Sequence, residues 1–126
     1  MAYRATVPYL LKQNNPNSTW TLITGGAGEY GVGGITAVSQ GALFALATVA
    51  VRENAKTNIR FNEVMLSCRV DYDSVAEEKG PEGVIKASDF ARVYEGILQN
   101  KDIRGARVSV QGPGDLDQLK YKPKLG

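Results

Sequence analysis

Histidine is absent from this 126-residue chain and cysteine occurs once, at Cys68. Without an imidazole, neither a Ser–His nor a Cys–His pair can activate a nucleophile. One thiol supports neither a disulfide framework nor the ligand set of a zinc site, so no metal is expected and Cys68 reads as a buried structural thiol. Excess charge is also scarce: 15 basic residues against 13 acidic ones leave a net charge of +2. Counterion release needs a concentrated basic face, so a nucleic-acid partner is not expected. Only Lys120-Tyr121-Lys122-Pro123-Lys124 gathers positive charge, and it reads as a solvated, flexible end. No apolar run is expected to span a membrane and no leader pattern is evident at Met1, so the expectation is a cytoplasmic protein without a membrane partner.

Glycine is plentiful, with six between Gly25 and Gly34. Before them, Trp20–Thr24 has the β-branched and aromatic content of a short buried strand. After them, Ile35, Val38, Ala42, Leu43, Leu46, Ala47, Ala50 and Val51 recur at three- and four-residue intervals, the apolar stripe of a helix over Ile35–Asn54. Upstream, Ala2–Gln13 is amphipathic, with Tyr3, Val7, Leu10 and Leu11 on one face and Pro8 bending it. Ile59–Leu66 reads as a second strand. The segment Ser67–Lys86, broken by Gly80-Pro81-Glu82-Gly83, has no clear pattern beyond a short helix near Asp73–Lys79. Ser88 reads as the N-cap of a helix over Asp89–Gln99 whose buried face is Phe90, Val93, Tyr94 and Ile97. Ala106–Val110 is a third strand, closed by Gly112-Pro113-Gly114. Strands alternating with helices predict one α/β domain over residues 1–126, with a small parallel sheet of about three strands joined by helical crossovers.

A literal G-x-G-x-x-G stands at Gly26, Gly28 and Gly31, between a strand and a helix, as a dinucleotide fingerprint would. Against that reading, the helix begins only after Gly34 and no acidic residue closes the next strand, where Ser67, Cys68 and Arg69 stand. The glycines read as a mobile loop, with NAD(P) binding as the secondary reading. Thr24, Glu29 and Tyr30 could line a cleft at the strand ends, joined by Asp71, Tyr72 and Asp73. The plainer reading has Tyr30 covering apolar surface and the acids solvated.

Taken in order, several segments resemble the C-terminal half of the short-chain dehydrogenase/reductase family. They are Pro8-Tyr9-Leu10-Leu11, the strand Thr21–Thr24, Ser39-Gln40-Gly41-Ala42-Leu43 in place of Ser-Lys-Ala-Ala-Leu, Ile59–Val64, and Asp89-Phe90-Ala91 through Ile103–Gly112. The resemblance implies a partial Rossmann-like fold lacking the N-terminal cofactor-binding half. It places Thr36 and Gln40 at the positions of the family's catalytic tyrosine and lysine, Thr24 near its serine, and Leu66-Ser67 where a Pro-Gly follows its sixth strand. Threonine and glutamine do not titrate near neutrality, so no bound cofactor and no acid–base pair are expected, and Thr24 and Tyr30 are left as weak catalytic candidates.

Two functions follow from this reading. The first is a pseudoenzyme-like, oligomeric interaction module, a dimer formed through helices Ala2–Gln13 and Ile35–Asn54 or through strand Trp20–Thr24, with room for a small apolar ligand. In it the small residues Ala37, Gly41, Ala45 and Thr48 permit close helix approach. The alternative is an enzyme, either an NAD(P)-dependent oxidoreductase completed by a partner half or a cofactor-independent catalyst using the remnant pocket.

Overall fold

The computed structural model describes residues 2–80 and 84–125. The chain runs α1 (Ala2–Gln13), β1 (Thr19–Gly25), α2 (Ala27–Tyr30), α3 (Ile35–Glu53), β2 (Arg60–Leu66), β3 (Arg69–Asp71), α4 (Asp73–Lys79), β4 (Val84–Lys86), α5 (Ala87–Gln99), β5 (Ala106–Val110), a 3₁₀ turn (Pro113–Asp115) and β6 (Lys120–Pro123). The main sheet has the order β1-β2-β5-β6, with β1, β2 and β5 parallel and β6 antiparallel to β5. It is a four-stranded, mostly parallel, partial Rossmann-like sheet.

Residue alternation on the strands divides the core in two. On one face, Val64, Ala106, Val108 and Val110 meet Phe90, Val93 and Ile97 of α5. On the other, Phe61 packs under Ala47, Ala50 and Val51 of α3, and α1 delivers Tyr3 edge-on to both Trp20 and Phe61. Central strand β2 is buried on both faces, which forces its polar residues to find partners inside. Arg60 donates to the carbonyls of Ile97, Asn100 and Ile103, satisfying carbonyls in the last turn of α5 and in the loop that follows it. Asn62 bridges the Ile103 carbonyl and the Ala106 N–H at 3.0 Å each.

Five expectations are corrected. The sheet has four strands because Lys120–Pro123, expected to be a flexible end, pairs with β5 in the register Arg107↔Lys122. Its alternation is masked by lysines because both its faces stay in water. Ser67–Lys86 holds a second, two-stranded parallel sheet of β3 and β4 around α4; within the Gly80-Pro81-Glu82-Gly83 breaker, residues 81–83 lie outside the described residues. Ser88 sits inside α5 rather than capping it: Asp73 accepts its N–H from across the α4 turn. Finally, α3 does reach membrane-spanning length and composition, with 19 residues and a mean hydropathy of 1.4. Ala, Val and Leu outweigh its scattered Thr, Ser and Gln, and the same test is passed by core helices of water-soluble folds. Tyr94, expected in the core, lies at the surface edge-on to Phe90.

Packing leaves most of α3 uncovered. Ile35, Val38 and Val49 are 85%, 70% and 50% exposed, and with Ala42 and Ala45, also exposed, they form an outward apolar stripe along the helix. Among the described residues, the free edge of β1 has no pairing strand.

Candidate functional site

Parallel strands β1 and β2 end side by side at Gly25 and Leu66, the position at which open α/β sheets take ligands. A cavity of about 470 Å³ opens there, lined by Gly26, Tyr30, Val32, Ser67, Cys68 and Arg69 among others. The chain enters it tightly: the Gly26 N–H donates to the Leu66 carbonyl at 2.9 Å and the Ser67 N–H to that of Val110 at 2.8 Å. A Cβ on Gly26 would stand 2.5 Å from Ser67 Oγ, so a side chain here would have to displace the Ser67 hydroxyl. Ser67 Oγ is buried and has no hydrogen-bond partner among the described residues. Arg69 holds Asp71 at 2.6 Å. The Cys68 thiol is pushed up by burial and then by the Asp115 charge, which disfavours the thiolate that a nucleophile needs.

The sequence candidates are dispersed around this cavity. Tyr30 is 59% exposed at its mouth. Thr24 is buried, and its hydroxyl donates to the Glu63 carboxylate at 2.9 Å, turned under α3 rather than into the cavity. Thr36 is exposed in the first turn of α3. Gln40 is the informative residue: its Oε1 accepts the Gly25 N–H at 2.7 Å. The side chain standing where the resemblance places a lysine therefore ties α3 to the end of β1. Asp71 and Asp73 are both partnered: hydrogen bonds from Lys79 and from Ser88, respectively, hold their carboxyls below the usual range.

Close packing holds two of the three fingerprint glycines, Gly26 and Gly28, and backbone conformation the third. Gly31 ends α2 in the left-handed region at φ 69° and caps it onto the Ala27 carbonyl. A Cβ on Gly28 would lie 2.9 Å from both Gln40 Cβ and the Gly41 backbone nitrogen, so α3 fills the space that a pyrophosphate would take in a dinucleotide turn. The helix following Gly26 is only the four residues of α2. These residues do not fit the phosphates of NAD(P) at that turn.

Composition gave no warning of a charged cluster beneath α3. Glu63, fully buried on β2, accepts Arg107 at 2.8 and 3.3 Å, Lys124 at 2.6 Å and Thr24. Burial pushes this carboxyl up, yet the donors, Arg107 first and Lys124 next, hold it below its ordinary value. Arg107 and Lys124 also lie over the Phe44 ring, at 4.7 and 5.5 Å from its centroid. The period-two position of Glu63, on the same strand face as buried Phe61, was the available signal that it faced inward.

The chain is 49% identical over 125 residues to the short-chain dehydrogenase/reductase iacG of Pestalotiopsis fici, a match that covers 98% of this chain and 50% of that protein. The chain thus spans about half the length of the curated relative it matches. No family model matches it. No solved structure matches it.

Proposed function

We propose that this short-chain dehydrogenase/reductase-like chain, homologous to half of such a protein, serves as an oligomeric interaction module that does not itself transfer hydride. One observation carries the reading. The Gln40 carboxamide is neutral and is spent on the Gly25 N–H at 2.7 Å, so it supplies neither the positive charge nor the free proton relay that a lysine there would give. Thr36, one turn earlier, carries a hydroxyl that stays protonated at neutral pH. The outward stripe Ile35, Val38, Ala42, Ala45 and Val49 supplies the association surface. A closed twofold assembly buries such a stripe against its own copy, and about 800 Å² per partner is the usual size of a specific interface.

The second reading, an oxidoreductase completed by a partner half or a cofactor-independent catalyst, is favoured by the cavity at the ends of β1 and β2 and by its orphan Ser67 Oγ. Calorimetric titration of the chain with NADH and NADPH separates the two. The module reading expects no saturable heat; saturation at micromolar cofactor, competed by adenosine diphosphate, overturns it.

A further inference from the structure

Beyond α3, the sheet face that carries Glu63 continues over β5, where Arg107 keeps 16% side-chain exposure, to β6, which is exposed. Alternation places Arg107 and Ser109 of β5 on this face, with Lys122 and Lys120 directly opposite them on β6. Lys124 follows. Like charges directly opposite each other across two strands destabilise the pair, and nothing in the fold needs Arg107 and Lys122 to face each other.

Two shallow cavities flank this pair and share it as a common wall. One, of about 390 Å³, is lined by Phe44, Thr48, Arg107, Lys122, Pro123 and Lys124. The other, of about 260 Å³, takes in Ser109, Gln111, Lys120 and the Asp115 carboxylate. Charges around them do not cancel. Buried Glu63 is one negative charge shared by Arg107 and Lys124. Lys120 pairs with Asp115 at 2.9 Å. Glu29 comes no nearer to Arg107 than 4.0 Å, and Lys122 has no carboxylate partner among the described residues. Arg107 uses Nε and Nη2 on Glu63, which leaves further N–H donors for another acceptor.

We propose that this face is a binding site for a compact dianion, a phosphate monoester or a dicarboxylate, seated between Arg107, Lys122 and Lys124. Glu63 and the Phe44 ring hold two of the three cations in place beforehand, so little side-chain entropy remains to be lost on binding. A bound anion also relieves the Arg107–Lys122 repulsion. The size of the cavity and the near-neutral charge of the rest of the chain favour a small ligand over a polyanion, which needs a basic stripe. No residue lining these cavities lines the one at the ends of β1 and β2, and neither Gln40 nor the outward stripe of α3 is among them, so the site stands independently of both readings.

The test is calorimetric titration of the full chain with inorganic phosphate and, separately, succinate at low ionic strength, where surface charge is least screened. Saturable binding is expected, weakened roughly five- to tenfold by Lys122→Gln, as loss of one charge-assisted hydrogen bond predicts, and left unchanged by Lys101→Gln on the distant turn. Binding of both probes assigns the site to dianions generally, and binding of phosphate alone assigns it to phosphoryl groups. A thermal melt gives a second readout: at equal phosphate the Tm of the unmodified chain rises more than that of Lys122→Gln. Absence of saturation by either probe, or equal weakening by Lys101→Gln, overturns the proposal.

Discussion

Replacing Glu63 by glutamine keeps the size of the side chain and removes its charge, and the structure fixes what that removal does. Three donors converge on the carboxylate: Lys124 at 2.6 Å, Arg107 at 2.8 Å and Thr24 at 2.9 Å. Glutamine offers one acceptor oxygen, and its NH₂ must face a donor. Removing one partner of a buried ion pair costs roughly 3–5 kcal/mol, because the other partner is left uncompensated. Arg107 retains 16% side-chain exposure and Lys124 7%, so both can partly turn to water, and the lower figure of about 3 kcal/mol applies here. For a chain of this size that corresponds to a Tm lower by roughly 10–15 °C. Urea unfolding at pH 7 measures the loss, and repeating it in a Lys124→Met background should shrink it by at least about 1 kcal/mol if the pair is coupled. The pH dependence carries the same sign. The Glu63 carboxyl is depressed in the folded state, so its stabilisation is complete above the unfolded value of about 4.3 and disappears as pH falls through the folded value. The gap between the two proteins should therefore narrow on acidification. A loss below about 1 kcal/mol at pH 7, or a gap that does not change with pH, would refute the argument that this cluster holds β2, β5 and the β6 end together.

Three further outcomes follow from the geometry. Gln40→Ala leaves the Gly25 N–H without its acceptor and should cost about 1 kcal/mol in urea unfolding, with Gln40→Lys losing as much and gaining no NADPH oxidation. Gly28→Ala forces a methyl against Gln40 Cβ and the Gly41 nitrogen, both 2.9 Å away, and should cost roughly 1–3 kcal/mol, against near neutrality at Gly41, where a Cβ meets nothing within 4 Å. Ala45→Arg places a charge in the outward stripe of α3 and should shift a dimer to monomer in sedimentation equilibrium; an unmodified chain that is monomeric at high micromolar concentration contradicts the association proposal itself.

Patterning carried most of the fold. The three- and four-residue spacing located α1, α3 and α5, although α3 buries only Ala47, Ala50 and Val51 and turns Ile35, Val38 and Ala42 of the same apolar spacing outward, and the parallel strands β1, β2 and β5 showed themselves by apolar runs between breakers. The β6 strand was invisible for a physical reason: an edge strand with both faces in water has no period-two apolar signal, and Lys-Tyr-Lys-Pro is the composition of a solvated tail as much as of a protected edge. The Ser88 cap failed because its rival, Asp73, lies fifteen residues away in sequence, out of reach of local rules. At the site, the positions of Gln40 and Tyr30 were legible from spacing, but what Gln40 holds was not, since its partner is a backbone N–H. The Glu63 cluster joins residues on three strands and the chain beyond β6, a meeting that only the sheet order reveals.

The single tryptophan turns the asymmetry of the two cores into something observable. Trp20 stacks on Phe61 at 5.4 Å with its ring nearly parallel, takes Tyr3 on its edge, and hands its indole N–H to Thr6 at 2.8 Å. Its emission therefore reports only the layer under α1 and α3, while circular dichroism averages over every helix. The α3 layer is the thinner one, with four buried core residues against ten on the α5 side among the described residues. Local opening starts where buried contacts are fewest, so under mild urea the emission should move to the red before the helical signal falls, and an added anion that clamps Arg107 and Lys124 to Phe44 should delay the first change more than the second.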